Sequence, residues 1–247
     1  PLLANEIESE IFLVDLGLGK NRMGGSCLAQ VFNQIGNDAP DLDDPKLFSQ
    51  FFSLINAFNK ENLITAYHDR SDGGALISLL EMAFASHCGL EIYTSDLLPE
   101  LFNEELGCII QIPTTNINRV LDSLKDIGLK NSTKRIARIN LNDEIVIYHE
   151  NDIVFQDKRK NLYKKWSSTS YEIAKLRDNP ECVESENIEI LKDSSGLKVR
   201  PTFDLNESII TPYINFGTKP KIAILREQGI NGHIEMAAAF TEAGFEA

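Results

Sequence analysis

Leu63-Ile64-Thr65-Ala66-Tyr67-His68-Asp69-Arg70-Ser71-Asp72-Gly73-Gly74, running into the apolar stretch that opens at Ala75, is the segment on which the fold turns. Leu63 to Tyr67 is short, apolar and partly β-branched and reads as a strand, whereas Ala75 to about His87 is long enough and apolar enough to be a buried helix. The junction between them packs a histidine, two aspartates, an arginine and two glycines into seven residues. Strand ends of α/β sheets are where ligands usually sit. Paired glycines let the backbone turn tightly, and a helix opening offers N–H groups to an anion. His68 could act as an acid/base or a phosphate contact, since its unperturbed pKa lies near neutrality. Asp69 and Asp72 could hold a magnesium ion on a nucleotide, or fix His68 and Arg70 by hydrogen bonds. The plainer reading is a helix capped by Asp72 with a satisfied histidine beside it.

A second junction of the same kind lies upstream. Ile11 to Leu16 reads as a buried strand and ends in the turn Gly17-Leu18-Gly19-Lys20-Asn21-Arg22-Met23-Gly24-Gly25. Ser26 can cap a following helix from Cys27 to about Ile35, with its Leu, Ala, Val and Phe on a buried face. Glycines interleaved with Lys20 and Arg22 suit a phosphate or carboxylate. The spacing is that of neither a P-loop nor a dinucleotide fingerprint, and a tight turn with solvated charges is the alternative.

Outward from these two junctions the elements keep mixing. Asp43-Asp44-Pro45 starts a helix whose Phe48, Phe51, Phe52, Ile55 and Phe58 form an expected core stripe. A strand over 88–93, a short acidic helix over 97–106 ending in Glu104 and Glu105, which read as solvated with a site role as the alternative, and a strand over 108–112 follow. Asn116 to Ile127 has helical spacing with Gly128 as its end, and 136–139 and 145–148 suggest a hairpin turning at Asn142-Asp143. The expected class is α/β (α+β), a mixed sheet with flanking helices over residues 1–155. Residues 156–218 read as helical and then irregular, with Arg177-Asp178-Asn179 a polar knot that could latch domains together. A new strand, Lys221 to Leu225, with the turn Arg226 to Gly232 and a helix to Gly244, reads as the truncated start of a further domain over 219–247. One strand and one helix cannot bury a core, so the chain is expected to be a fragment of a longer protein.

Composition narrows the partners. The chain has 247 residues, 43% hydrophobic and 25% charged, as expected of a globular protein. A net charge of −13 with no Lys/Arg block argues against nucleic acid. No apolar run approaches the roughly 20 residues of a membrane span, and no secretory signal is visible. Cys27, Cys88, Cys108 and Cys182 are scattered; the first three read as buried small hydrophobes in a reducing, cytoplasmic setting.

Four segments together carry a resemblance. Asp15 to Ser26, Ala66 to Gly74, Leu176 to Cys182, and Ile224 to Gly232 resemble, in order, segments of the large phosphoribosylformylglycinamidine synthase family. The first two are similar to its aminoimidazole-ribonucleotide-synthetase-like C-terminal domain, the third to its interdomain segment, and the fourth to the opening of its flavodoxin-like glutaminase domain. The resemblance implies an enzyme of purine biosynthesis that uses ATP, magnesium and glutamine to convert formylglycinamide ribonucleotide to formylglycinamidine ribonucleotide. ATP activates the substrate amide oxygen there, and ammonia released from glutamine displaces phosphate. It further implies that His68, the catalytic candidate, with Asp69, Asp72, Gly73 and Gly74 lines one face of a synthetase cleft, with Lys20, Arg22, Gly24, Gly25 and Ser26 close by. Whether that cleft is the catalytic site or the related structural nucleotide site stays open, as does the identity of any metal ligand. The remaining domains of the same protein are the implied partners, and residues 1–247 alone are expected to be inactive. The alternatives are a non-catalytic nucleotide-binding or interaction module of this superfamily, or a hydrogenase-maturation or selenophosphate-type relative, which would lack the glutaminase opening.

Overall fold

The run Ile11-Phe12-Leu13-Val14 is apolar at every position, so it needs cover on both faces of its sheet, and that requirement organises the domain. In the computed structural model, which describes residues 3–4, 8–190, 192, 199–207 and 219–247, it forms β1 (Ser9–Asp15). Ile11 and Leu13 enter one apolar cluster, and Phe12 and Val14 enter another across the sheet. The chain continues through α1 (Cys27–Val31), α2 (Pro45–Lys60), β2 (Ala66–Asp69), α3 (Gly74–Ser86), β3 (Gly89–Thr94), α4 (Leu97–Phe102), β4 (Gly107–Pro113) and α5 (Ile117–Asp126). Then come β5 (Thr133–Asn140), β6 (Glu144–His149), β7 (Asp152–Lys158), α6 (Arg159–Arg177), α7 (Pro180–Glu189) and α8 (His233–Glu242).

The seven strands form one mixed sheet, ordered β2-β4-β1-β5-β3-β6-β7. Leu79, Met82, Leu90, Ile92, Ile109 and Ile136 fill the face under α3 and α4, where Leu162 and Tyr163 of α6 also pack. Phe51, Ile55, Phe58, Ile110, Ile112, Val120 and Leu124 fill the other under α2 and α5. The expected class therefore holds: a mixed sheet between two helical layers. Contacts divide the chain into two units, residues 1–193 and 194–247. No helix among the described residues is long and apolar enough to cross a membrane.

Several expectations are corrected. The hairpin between 136–139 and 145–148 does not form, because β3 lies between β5 and β6, antiparallel to the first and parallel to the second. Gly89 makes that insertion possible: any side chain there would collide with Asn140 and the backbone of Glu144, so the 141–143 turn could not close over it. The hairpin partner of β6 is β7, an unanticipated edge strand. In the α2 stripe Phe51, Ile55 and Phe58 are buried, but Phe48 and Phe52 are exposed. The helix over 27–35 shrinks to α1 with no buried residue, and Val31, Phe32 and Ile35 all face outward. The irregular stretch after Asp178 contains α7, whose N-cap Asn179 accepts from the amides of Glu181 and Cys182 while Pro180 sets the first turn. Asn179 is thus a cap, and Arg177 and Asp178 form an exposed ion pair.

In the second unit, the strand expected over 221–225 reduces to a single parallel bridge between Lys221 and Glu246. Phe240 of α8 meets Phe245 edge-on, with ring centroids 5.6 Å apart.

Candidate functional site

β1 and β2 flank β4 and run antiparallel to it, so their C-terminal ends meet the start of β4 at one edge of the sheet. Asp15 stands opposite Gly107, and Asp69 opposite Cys108. Three connections converge there: the glycine turn after β1, the His68–Gly74 turn, and Asn103 to Leu106 leading into β4. The topology thus brings together two motifs some fifty residues apart in sequence.

Arg70 is the pivot of this junction. Its guanidinium is buried and does not meet Asp69 or Asp72; Nη2 donates to Asp15 Oδ1 at 2.5 Å and to the Leu106 carbonyl at 2.9 Å, and Nε donates to the Glu105 carbonyl at 2.5 Å. Asp15 in turn accepts from the amides of Gly17 (3.1 Å) and Gly19 (2.7 Å), which shapes the first glycine turn. A charge that ends an apolar strand just before a glycine was a usable sign of this role, and sequence reasoning passed over it.

Glu104 and Glu105 are the larger correction. Both were expected in water, yet Glu105 is completely buried and Glu104 is half-buried. Glu105 Oε1 accepts from the backbone amide and Nε of Arg22, and Oε2 accepts from Arg22 Nη2 at 2.7 Å. The Glu105 carboxylate, followed by Asp43, raises the Arg22 pKa above its ordinary value. Asp43 is shared by Arg22 (2.8 Å) and Lys20 (2.9 Å); Lys20 and then Arg22 hold its carboxyl below the usual range. Asp44, not Asp43, caps α2. Lys20 and Arg22 are therefore neutralised within the chain. Their described bonds hold the glycine turn against the Asp43 loop and the 103–106 connection.

The backbone donors are engaged as well. The amides of Gly24, Gly25 and Ser26 donate to the carbonyls of Asp38, Ile35 and Met23. The Ser26 hydroxyl accepts from Ala29, so its expected cap is present. At the second turn the N-cap of α3 is Gly73, not Asp72, with φ of +83° followed by +73° at Gly74. The Gly74 amide donates to the Ser71 carbonyl, and the Gly73 amide donates to Glu104 Oε1 at 2.8 Å. An anion at this helix opening would meet a carboxylate that the chain itself supplies. The same Glu104 oxygen accepts from the Cys27 amide at 2.8 Å. Burial, with Glu104 and then Asp72 nearby, pushes the Cys27 thiol up, so it is no activated nucleophile, nor is it a fully buried hydrophobe.

The remaining side chains of the motif lie outside this knot. His68 Nε2 is 3.0 Å from Glu81 Oε2 on α3, and its Nδ1 is 2.6 Å from the Asp69 carbonyl. The Tyr67 hydroxyl donates to Asp69; burial and that carboxylate push the phenol pKa far up. Asp72 is exposed. Two clefts border the junction. One, of about 510 Å³, is lined by Phe48, Phe52, Tyr67, Asp69 and Arg70; the other, of about 180 Å³, by Asp15, Asn21, Arg70, Asn103 and Lys134. Among the described residues no group of three or more His, Cys, Asp or Glu side chains stands ready to hold a metal. Among the described residues Asp69 and Asp72 are therefore not joined by further such side chains into a metal-holding group.

Comparison with known proteins bears on this geometry at three points. Residues 13–132, which carry both glycine turns, match the family model described as AIR synthase related protein, C-terminal domain. Residues 219–247 match the CobB/CobQ-like glutamine amidotransferase domain. Among solved structures, Thermotoga maritima PurL complexed with ATP is 15% identical with a TM-score of 0.51, over 65% of this chain and 26% of that one. Phosphoribosylformylglycinamidine synthase II from the same organism is 14% identical with a TM-score of 0.51, over 65% and 27%. PurL complexed with FGAR gives 14%, 0.50, and 65% and 29%. The chain spans roughly a quarter of the length of the solved structures it matches, and at these identities the likeness is one of fold. Residues 13–132 thus resemble an AIR-synthase-related C-terminal domain in sequence pattern and share the fold of the PurL structures, and residues 219–247 resemble a glutamine amidotransferase domain.

Proposed function

We propose that this chain is part of a carbon–nitrogen ligase that uses ATP and glutamine to convert formylglycinamide ribonucleotide to formylglycinamidine ribonucleotide. One observation carries the reading: a segment matching an AIR-synthase-related domain is followed in the same chain by one matching a glutamine amidotransferase domain, and a ligase that joins ATP use to an ammonia source accounts for that pairing. The likeness of fold to PurL structures holding ATP and FGAR supports it. In this reading the junction of the two glycine turns is one wall of the synthetase cleft. His68, Asp69 and Asp72 face the ligand side, and Gly24, Gly25, Ser26, Gly73 and Gly74 set the backbone contour. Lys20 and Arg22 hold that contour in place through Asp43 and Glu105. ATP supplies a phosphoryl group that makes the amide oxygen a leaving group; the rest of the protein supplies the facing wall and the ammonia.

The reading is tested in the full-length protein by following amidine formation and phosphate release with ATP, glutamine and formylglycinamide ribonucleotide. Turnover is expected, and His68→Ala and Asp72→Ala are each expected to lower it by at least about tenfold. Residues 1–247 alone should release no ammonia from glutamine. Ammonia from that piece, or unchanged turnover in both variants, would sink the reading. A second reading is a purely structural nucleotide-binding or interaction module. It is favoured by the internal satisfaction of the turn amides and of Lys20 and Arg22, and unchanged variants would select it.

A further inference from the structure

Glu104 is tied to both glycine turns by a single oxygen. Its Oε1 accepts from the Cys27 amide at 2.8 Å and from the Gly73 amide at 2.8 Å, although those amides are 46 residues apart in sequence and open different helices. The other anchors of the junction leave the two helix openings untouched: one joins the turns at their strand ends, and one runs from a turn to the β4 entry. Asp15 shapes residues 17–19 and Arg70, while Glu105 holds Arg22. Glu104 and Glu105 are consecutive and face different partners, so one two-residue step ties the β4 entry to Cys27, Gly73 and Arg22. A carboxylate oxygen can accept two N–H groups at once, and such charge-assisted bonds are stronger than neutral ones. The Cys27 thiol lies beside Glu104, and Asp72 acts on that same thiol.

We infer that Glu104 is a positioning residue: its Oε1 sets the gap between the Gly24–Ser26 turn and the Asp72–Gly74 turn, so that the ligand-facing wall is assembled before a ligand arrives. The inference rests on the proposed ligase reading for its effect on substrate, but not for the coupling of the two turns. Preorganised loops spare a ligand the ordering cost it would otherwise meet on binding. Loosening them therefore weakens uniform binding, which appears in KM more than in kcat.

The test uses Glu104→Ala, Glu104→Asp and Glu104→Gln in the full-length protein, with amide hydrogen exchange and steady-state kinetics. Glu104→Ala should raise exchange at the Cys27 and Gly73 amides together by about tenfold or more, leaving the Gly17 and Gly19 amides, held by Asp15, as they were. The KM for the phosphate-bearing substrate should rise about tenfold while kcat stays within about threefold. Glu104→Gln keeps an acceptor at the same reach and should restore both readouts. Glu104→Asp keeps the charge but shortens the reach, and should behave like Ala. Exchange that changes at only one of the two amides, a KM left unmoved, or Gln as impaired as Ala would each overturn the inference. If the wild-type protein shows no ligase turnover, the functional reading falls by itself and the exchange measurement decides the coupling. If Glu104→Ala fails to fold, the contrast between Asp and Gln carries the same decision.

Discussion

Replacing Arg70 by methionine should destabilise the 1–193 unit more than any surface substitution. The side chain is 1% exposed and its partner Asp15 is 10% exposed. Methionine fills much of the same volume with no donor, so it strands the Asp15 carboxylate and the carbonyls of Glu105 and Leu106. Breaking a buried pair by removing one partner costs about 3–5 kcal/mol. The lower end applies here, because Asp15 keeps the amides of Gly17 and Gly19. Arg70→Lys retains the charge but cannot reach three acceptors at once, and should lose about 1–2 kcal/mol of hydrogen bonding. For a unit of this size each kcal/mol lowers Tm by about 2–4 °C, so at about 3 kcal/mol methionine should lower it by about 6–12 °C. Urea unfolding can be followed through Trp166, the single tryptophan, which packs against Phe84 and Tyr163. A loss below about 1 kcal/mol for methionine, the scale of an exposed pair, or a lysine variant as stable as the parent would refute the reasoning.

Two further outcomes follow from buried geometry. Burial acts to raise the Glu100 pKa, but the Lys134 ammonium, the Thr94 hydroxyl and the Ser95 amide outweigh it and draw the group down to about 2. Its folded value lies below the ordinary 4.5, so its stabilisation is complete above pH 4.5 and is lost as pH falls toward 2. Glu100→Gln should flatten that acid limb in a pH series of unfolding curves, and superimposable limbs would show that Glu100 does not set it. A methyl group at Gly74 would stand 2.7 Å from the carbonyls of Leu101 and Asn103 on a backbone with φ of +73°. Gly74→Ala should therefore cost at least about 2 kcal/mol in a thermal melt; an unchanged melt would mean that the turn has room to move.

Where the sequence pattern was legible, it was so because the physics is local. The all-apolar run at 11–14 demanded cover on two faces, and Asp44-Pro45 with a three-and-four stripe made α2. The long apolar block after Gly74 made α3. Asn179-Pro180 carried the same cap-and-proline signal at α7 and was overlooked because the helix it starts lacks an apolar stripe. The glutamates failed for a different reason. A charged pair at a helix end belongs in water by default, and only a cation 83 residues away turns Glu105 into a buried residue.

The sequence by itself determined which segments are strands and helices across most of residues 11–127 and that two glycine-bearing junctions follow strands. Those features depend on side-chain period, caps and turn residues within a few positions. Only the tertiary structure decided that the two junctions lie together, that β3 separates β5 from β6, and that Asp15, Arg70, Glu104 and Glu105 hold the junction. Strand order and the burial of a charge are set by partners far along the chain. The free energy of a carboxylate depends on what faces it, and no local pattern records that.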